Sequence, residues 1–371
     1  MSIKRGVSLY SYQQSQFFKE LMLDDQIAEV GSIPGCEGIE IVDEMSLRYP
    51  DPGAEFIDHW FAMMERHGTV PVAMDVGMDV LQFRDHVMTI EENAERLRHD
   101  IRLAKRLGFT NVRVLSTTPL EVILGALGEA EKHDIRLGKE VHQPMALEGP
   151  QVTEILDHAA RTGTMHLGIV PDLGIYQYRP SEALLKWFER KGAKSEATAA
   201  ATRLSEPDPR RRDGRHVRRL AAHRGQHPLD FRRFLTSGEA PDICAAAFEG
   251  IRAFTNEHVP TPAEVDYLVV GEALTFSKTS PETLRQMAGH VTHVHAKFYE
   301  MSEIDGQPGV FHDRSIDTAA AMGALRRAGS PGYVNSEYEG QRYYQDRTRA
   351  DLMSEVDQVR KHQSMLARLL G

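Results

Sequence analysis

Short apolar segments and long amphipathic ones alternate along this chain, and that rhythm constrains the fold more than any single motif. "RGVSLYSY" (5–12), "CEGIEIVDE" (36–44), "TVPVAMDVG" (69–77), "NVRVLST" (111–117), "IRLGKEVHQP" (135–144), "MHLGIVPDLG" (165–174), "VTHVHAKFYEM" (291–301) and "GYVNSEYEG" (332–340) read as strands, being rich in β-branched residues and bounded by turn formers. Helix-sized intervals separate most of them. The clearest is "TIEENAERLRHDIRLAKRLGF" (89–109), with Thr89 as N-cap and Gly108 near its end. Eight β–α repeats predict an α/β fold, a parallel (β/α)8 TIM barrel. A doubly wound sheet would usually show a Gly-rich phosphate turn after its first strand, and none is present.

One interval is too long. More than a hundred residues separate "VPDLG" from "HVTHVH". The flanks "SEALLKWFERKG" and "DICAAAFEGIRAFTNEH" look helical, and the middle, residues 206–234, is dense in arginine and broken by Pro and Gly. The reading is one barrel domain over residues 1–371, with 181–266 as a rim insertion that acts as a lid or subunit contact. The basic run suits phosphate or a partner subunit, although such runs are commonly solvated faces.

Composition excludes several classes. A net charge of −10 argues against a nucleic-acid surface. No apolar run reaches membrane-spanning length, and the start shows no apolar signal region. Two cysteines, Cys36 and Cys244, offer neither a disulfide framework nor a thiolate zinc site. A reducing, cytoplasmic location is the expectation.

In such a barrel the chemistry gathers at the C-terminal strand ends. In the fifth strand Gly138, Glu140 and His142 share one face, with Leu137 and Val141 on the other; Lys139 falls on the apolar side without explanation. In the sixth, Asp172 shares a face with His166, Gly168 and Val170. The seventh turns His293, His295 and Lys297 inward, and the eighth Tyr333, Asn335 and Glu337. Four consecutive strands thus each offer a metal ligand: Glu140, Asp172, His295 and Glu337. Any one alone is commonly a cap, a salt-bridge partner or a core histidine. Together without a cation, three buried carboxylates would repel and raise their own pKa values. The donor set suits an octahedral divalent ion, with Mn²⁺ first and Co²⁺ or Mg²⁺ as alternatives. His295 is then the ligand and His293 a hydrogen-bonded core histidine one layer deeper. Lys297 stands at the rim, and Lys297, Tyr299 and Arg113 are assigned to substrate.

These motifs resemble the xylose-isomerase-like barrel superfamily of sugar isomerases, sugar epimerases, inosose dehydratases and endonuclease IV, over most of the chain except the insertion. "KEVHQP" is similar to its Glu-x-His strand, "VPDLG" to its Asp strand, "HVHAKF" to its His-x-Lys strand and "NSEYEG" to its final Glu strand. Many members carry Asp after the His-x-Lys, where this chain has Phe298. The resemblance implies the same four ligands, with Glu140 and Glu337 passing the proton as the matching pair does in the epimerases.

A metal held by carboxylates beside free bases suits proton abstraction next to a sugar carbonyl. His142 is a further base or a rim group binding a substrate hydroxyl. Isomerisation or epimerisation is the leading expectation. The chain also resembles the catalytic subunits of C-glycoside deglycosidases, which share the barrel and cleave a 3-keto-sugar from an aromatic aglycone, so a carbon–carbon lyase is the alternative. Phe298, Tyr299, Met301, Tyr338, Tyr343 and Tyr344 are candidates for an aromatic rim. The expected partners are a sugar or glycoside and an oligomer with a place for a small second subunit, but no nucleic acid or membrane. An endonuclease IV-like site would need more histidines and a basic face. A non-catalytic sugar-binding barrel would have no use for both Glu140 and Glu337 around a cation.

Overall fold

Parallel strands need crossover helices to cover them, and this sequence supplies both in turn. The computed structural model describes residues 3–77, 79–205, 228–277, 279–329 and 332–371. Its strands are β1 (Lys4–Ser8), β2 (Cys36–Val42), β3 (Val70–Val76), β4 (Asn111–Val114), β5 (Arg136–Val141), β6 (Leu167–Pro171) and β7 (Val294–Phe298). A hairpin of β8 (Met301–Ile304) and β9 (Gln307–Asp313) precedes β10 (Tyr333–Tyr338).

Neighbours run β6-β5-β4-β3-β2-β1-β10-β7. Backbone bridges Ile169–Val291 and Asp172–His295 join the two end strands, so the ring closes as the expected eight-stranded barrel. The β8–β9 hairpin lies outside the barrel and was not expected. Its residues alternate neither in polarity nor in burial, so the period-two signal is missing.

Helices cover the outside by the usual means. Ile90–Arg106 opens with a capping box in which Thr89 and Glu92 satisfy each other's backbone N–H groups, and it buries Leu97, Ile101 and Ala104. Gly108, at φ 81°, lets the chain turn out of that helix. The first predicted strand ends early, at Ser8, because Leu9–Tyr12 form a 3-10 turn whose Leu9 and Tyr12 are buried. Lys139 finds its reason here: its Nζ donates to the Thr118 carbonyl at 2.8 Å, so a cation is tolerated beneath the helices.

Between β6 and β7 the chain builds helices Glu182–Arg190, Ser195–Ser205, Pro228–Ser237, Asp242–His258 and Glu264–Gly271, then a 3-10 turn Glu272–Leu274. The helical segment therefore continues past residue 266. It has an apolar cluster of its own, including Phe188, Leu204, Phe231, Phe234, Phe248, Ile251 and Val270. Most of the arginine-rich run, residues 206–227, lies outside the described residues. Arg232 and Arg233, which are described, pair on the surface with Glu264 and Glu239. No helix among the described residues is long and apolar enough to cross a membrane.

Candidate active site

Period two turns alternate residues of each strand into the barrel, and near the C-terminal ends almost all of these are charged. Glu40 comes from β2, Asp75 from β3, Arg113 from β4, Glu140 from β5, His295 and Lys297 from β7, and Asn335 and Glu337 from β10; Asp172 directly follows β6. All are buried. Small residues make room for them: a Cβ on Gly6 of β1 would overlap Oδ1 of Asn335.

His295 is the centre. Its Nδ1 lies 3.4 Å from Oε1 of both Glu140 and Glu337, while its Nε2 contacts Oε1 of Glu40 and lies 3.9 Å from Oδ1 of Asp75. A guanidinium N–H of Arg113 stands 3.1 Å from Glu140 and 3.8 Å from Glu337, and its Nε is 3.6 Å from Asp75. The Arg113 charge therefore binds the acids together from below.

Lys297 is not at the rim. Its ammonium is fully buried, 2.6 Å from Oδ2 of Asp172 and 3.4 Å from Glu339, whose carboxylate also takes Arg342. The other oxygen of Asp172 accepts from the Gly174 backbone N–H at 2.6 Å. Of the four expected ligands, Glu140, His295 and Glu337 bring their donor atoms within 4.8 Å of one another, while Asp172 is engaged by Lys297. Strand register explains the offset: β10 pairs Glu337 with Lys297 and Asn335 with His295.

The electrostatics follow from burial against pairing. Burial by itself would raise the Glu140 carboxyl, but Arg113 and His295 hold it below the usual carboxylate range. Glu337 is held low in the same way by His295 and Lys297. Burial raises Asp172 to about 6 despite Lys297. Asp75 is pushed well above its ordinary value by burial and by the charge of Glu40, with Arg113 opposing. Burial would lower the His295 imidazole, yet Glu40 and Glu337 raise it well above normal.

The set fits a divalent cation. Nδ1 of His295 and Oε2 of Glu337 are buried with no hydrogen-bond partner among the described residues. A cation at Nδ1 would take the place of the extra imidazole proton. Carboxylate–imidazole donors without thiolate suit a hard or borderline ion.

His293 lies deeper, as expected. Its Nδ1 is 3.2 Å from the Thr292 hydroxyl, its Nε2 is 3.7 Å from Glu40, and burial lowers its pKa to about 4. His142 is half-buried at the mouth, and its Nδ1 faces the Gln143 carbonyl at 2.5 Å. Donation from Nδ1 leaves the Nε2 lone pair as the basic one.

The expected aromatic rim is corrected. Phe298 and Tyr338 point out of the barrel, and Phe298 stacks on His362 of the C-terminal helix (Glu355–Leu370) at 4.0 Å. Alternation dictates this, since Lys297 and Glu337 beside them point in. Met301 is also in the core. Tyr299 is buried and lies 6.0 Å from Tyr343, which in turn lies 6.4 Å from Trp187 of the insertion. These rings link barrel mouth and insertion. Glu40, Asp75 and Glu339 were missed. The alternation in "GIEI" and "VAMDV" already placed the first two inward, but only closure of the ring shows that they meet His295.

A closed parallel barrel with a buried acid–imidazole centre at its C-terminal mouth is the class that fold and site define. No protein-family model matches the chain. By sequence it is 26% identical to the 3'-dehydrocarminate deglycosidase alpha subunit of a Microbacterium species, over 90% of this chain and 88% of that one. It is also 26% identical to the C-glycoside deglycosidase alpha subunit of Arthrobacter globiformis, over 99% and 92%. Among solved structures it shares its fold with L-ribulose 3-epimerase, at a TM-score of 0.52, 12% identity and coverage of 99% and 94%. The D-allulose 3-epimerase of a Methylomonas species matches at 0.50 with 8% identity over 99% and 98%. The fold is thus shared with these two epimerases, and the sequence relatives are deglycosidase alpha subunits.

Proposed function

We propose that this chain is the catalytic subunit of a metal-dependent enzyme that cleaves keto-C-glycosides by elimination. The observation that carries the reading is His142. It stands half-buried at the barrel mouth, its Nδ1 donating to the Gln143 carbonyl, which leaves the Nε2 lone pair as the acceptor. Similarity to deglycosidase alpha subunits along nearly the whole chain supports it.

Nε2 of His142 takes the proton from the carbon next to the sugar ketone. The bond from the neighbouring anomeric carbon to the aryl carbon breaks, its electron pair leaves with the aryl carbon, and that carbon gains a proton. The products are an unsaturated keto-sugar and the free aromatic compound. A divalent cation, when bound, would polarise the ketone oxygen and so ease loss of the proton. Glu140, His295, Glu337 and Asp172 are the ligands of this proposal, with Mn²⁺ the preferred ion ahead of Co²⁺ and Mg²⁺. Asp172 joins only when Lys297 releases it toward Glu339. Arg113 keeps Glu140 and Glu337 ionised, and Tyr299 faces substrate. The insertion serves as a lid or as the seat of a second subunit, which the names of the relatives imply. Free, buried Cys36 and Cys244 suit a reducing compartment such as the cytoplasm.

Epimerisation is the second reading. It is favoured by the position of Glu140 and Glu337, each 3.4 Å from Nδ1 of His295, as a pair of proton carriers. One assay separates the two. Wild type and His142→Asn receive a 3-keto C-glycoside and a free ketose, and aglycone release and solvent deuterium exchange are followed. Elimination predicts aglycone release that falls by ~10²–10⁴-fold in the variant, the usual loss on removing a general base. Deuterium exchange into the ketose without aglycone release, hardly changed in the variant, would establish epimerisation instead.

A further inference from the structure

We infer that Glu40 is a positioning residue: by packing against Nε2 of His295 it turns Nδ1 toward Glu140 and Glu337 and makes that nitrogen the metal ligand. The inference rests on the metal reading above and concerns a residue outside the four ligands.

The imidazole lies between two acidic groups, one at each nitrogen. Nε2 contacts Oε1 of Glu40 so closely that no ion fits between them. Neither ring nitrogen has a hydrogen-bond partner among the described residues, but Nε2 is closed off by its contact with Glu40, while Nδ1 lies 3.4 Å from both Glu140 and Glu337. Nδ1 is therefore the nitrogen with donor oxygens beside it and space between. Glu40 is itself fixed, because Nδ2 of Asn335 donates to its Oε2 and Gly6 leaves the space in which Asn335 sits. The chain Asn335–Glu40–His295 is buried throughout, so each orientation is set by the next. A carboxylate behind a ligating histidine sets tautomer and ring angle, and its loss typically weakens metal binding 10–100-fold.

Glu40, Asp75, His293 and His295 also lie close enough to form a cation site of their own. That arrangement would need Nε2 as ligand, the nitrogen already given to Glu40. Two ions on one ring would require both nitrogens to be deprotonated. The geometry therefore points to one ion per chain, at Nδ1.

The test is calorimetric titration of the metal-stripped protein with Mn²⁺, for wild type, Glu40→Gln, Glu40→Leu and Asn335→Leu, with folding checked by circular dichroism. Wild type should bind one Mn²⁺. Glu40→Gln, which keeps the shape of the side chain against Nε2, should bind about tenfold more weakly, and Glu40→Leu about 100-fold. Asn335→Leu leaves His295 untouched and frees Glu40, so it should weaken binding by less than Glu40→Leu. Equal affinity in wild type and both Glu40 variants would overturn the inference while leaving the metal reading intact. So would two ions in wild type with one lost on changing Glu40, since Glu40 would then be a ligand. Wild type that binds no Mn²⁺ would remove the metal reading and the inference together.

Discussion

His362 shows how a single buried titratable group ties this fold to pH. Its ring is fully buried, stacked on Phe298, with Nδ1 2.7 Å from the Ser336 hydroxyl, and burial lowers its pKa to about 3. The unfolded chain would titrate near the usual value of about 6.5. The folded state therefore refuses a proton that the unfolded state accepts. Stability is complete above about pH 6.5 and is lost as pH falls toward 3, at up to ~1.4 kcal/mol per pH unit from this residue. Urea unfolding of wild type and His362→Phe at pH 7, 6 and 5 measures it. The variant should show a slope flatter by about that amount below pH 6.5, since Phe keeps the stack and Gln363 still donates to Ser336. An unchanged slope would place the acid sensitivity elsewhere, with buried His293 as the next candidate.

Among the elements, the insertion between β6 and β7 has packing of its own. Phe248 is 1% exposed, with its ring 5.2 Å from Phe231 and 5.5 Å from Phe234, on helices that belong to the insertion alone. Phe248→Ala should cost the cluster about 3–5 kcal/mol. We expect that loss to appear as faster amide exchange in helices Ser195–Ser205 and Asp242–His258, with Mn²⁺ affinity of the barrel unchanged. Loss of metal binding in the same variant would show that barrel and insertion fold as one unit. The insertion was legible as an excess of length and helical pattern, but its true end was not. Residues 264–271 continue as a helix with Val269 and Val270 buried in the same cluster, a contact set by packing rather than by a local stop signal.

At the scale of the molecule, the barrel gathers Glu40, Asp75, Glu140, Asp172, Glu337 and Glu339 in a buried volume where Arg113, Lys297 and His295 are the opposing charges, and exposed Arg342 pairs with Glu339 at its edge. An ion that binds only the folded state adds ~2.7 kcal/mol at a concentration 100 times its Kd. Spread over the unfolding entropy of a chain of 371 residues, this is a rise in Tm of about 3 °C. Thermal scans with excess Mn²⁺ and with chelator should differ by at least that amount. Coincident scans would mean that the charges are balanced internally and that the centre holds no cation.

The sequence by itself determined the eight-fold β–α rhythm, the helix caps, and which strand-end residues face inward, because these depend on local periodicity and neighbouring residues. Glu140, Asp172, His295, Glu337 and Arg113 were legible for that reason, and the outward turn of Phe298 and Tyr338 was legible too, though the reading passed over it. Only the tertiary structure decided which inward groups meet. Period two gives a face but no height, and the relative height of strands is set by their stagger around the closed ring. That stagger brings Glu40 from β2 against His295 from β7 and sends Lys297 to Asp172. Buried charges then choose partners by distance in a medium of low dielectric, where a few ångströms separate a ligand from a counter-ion.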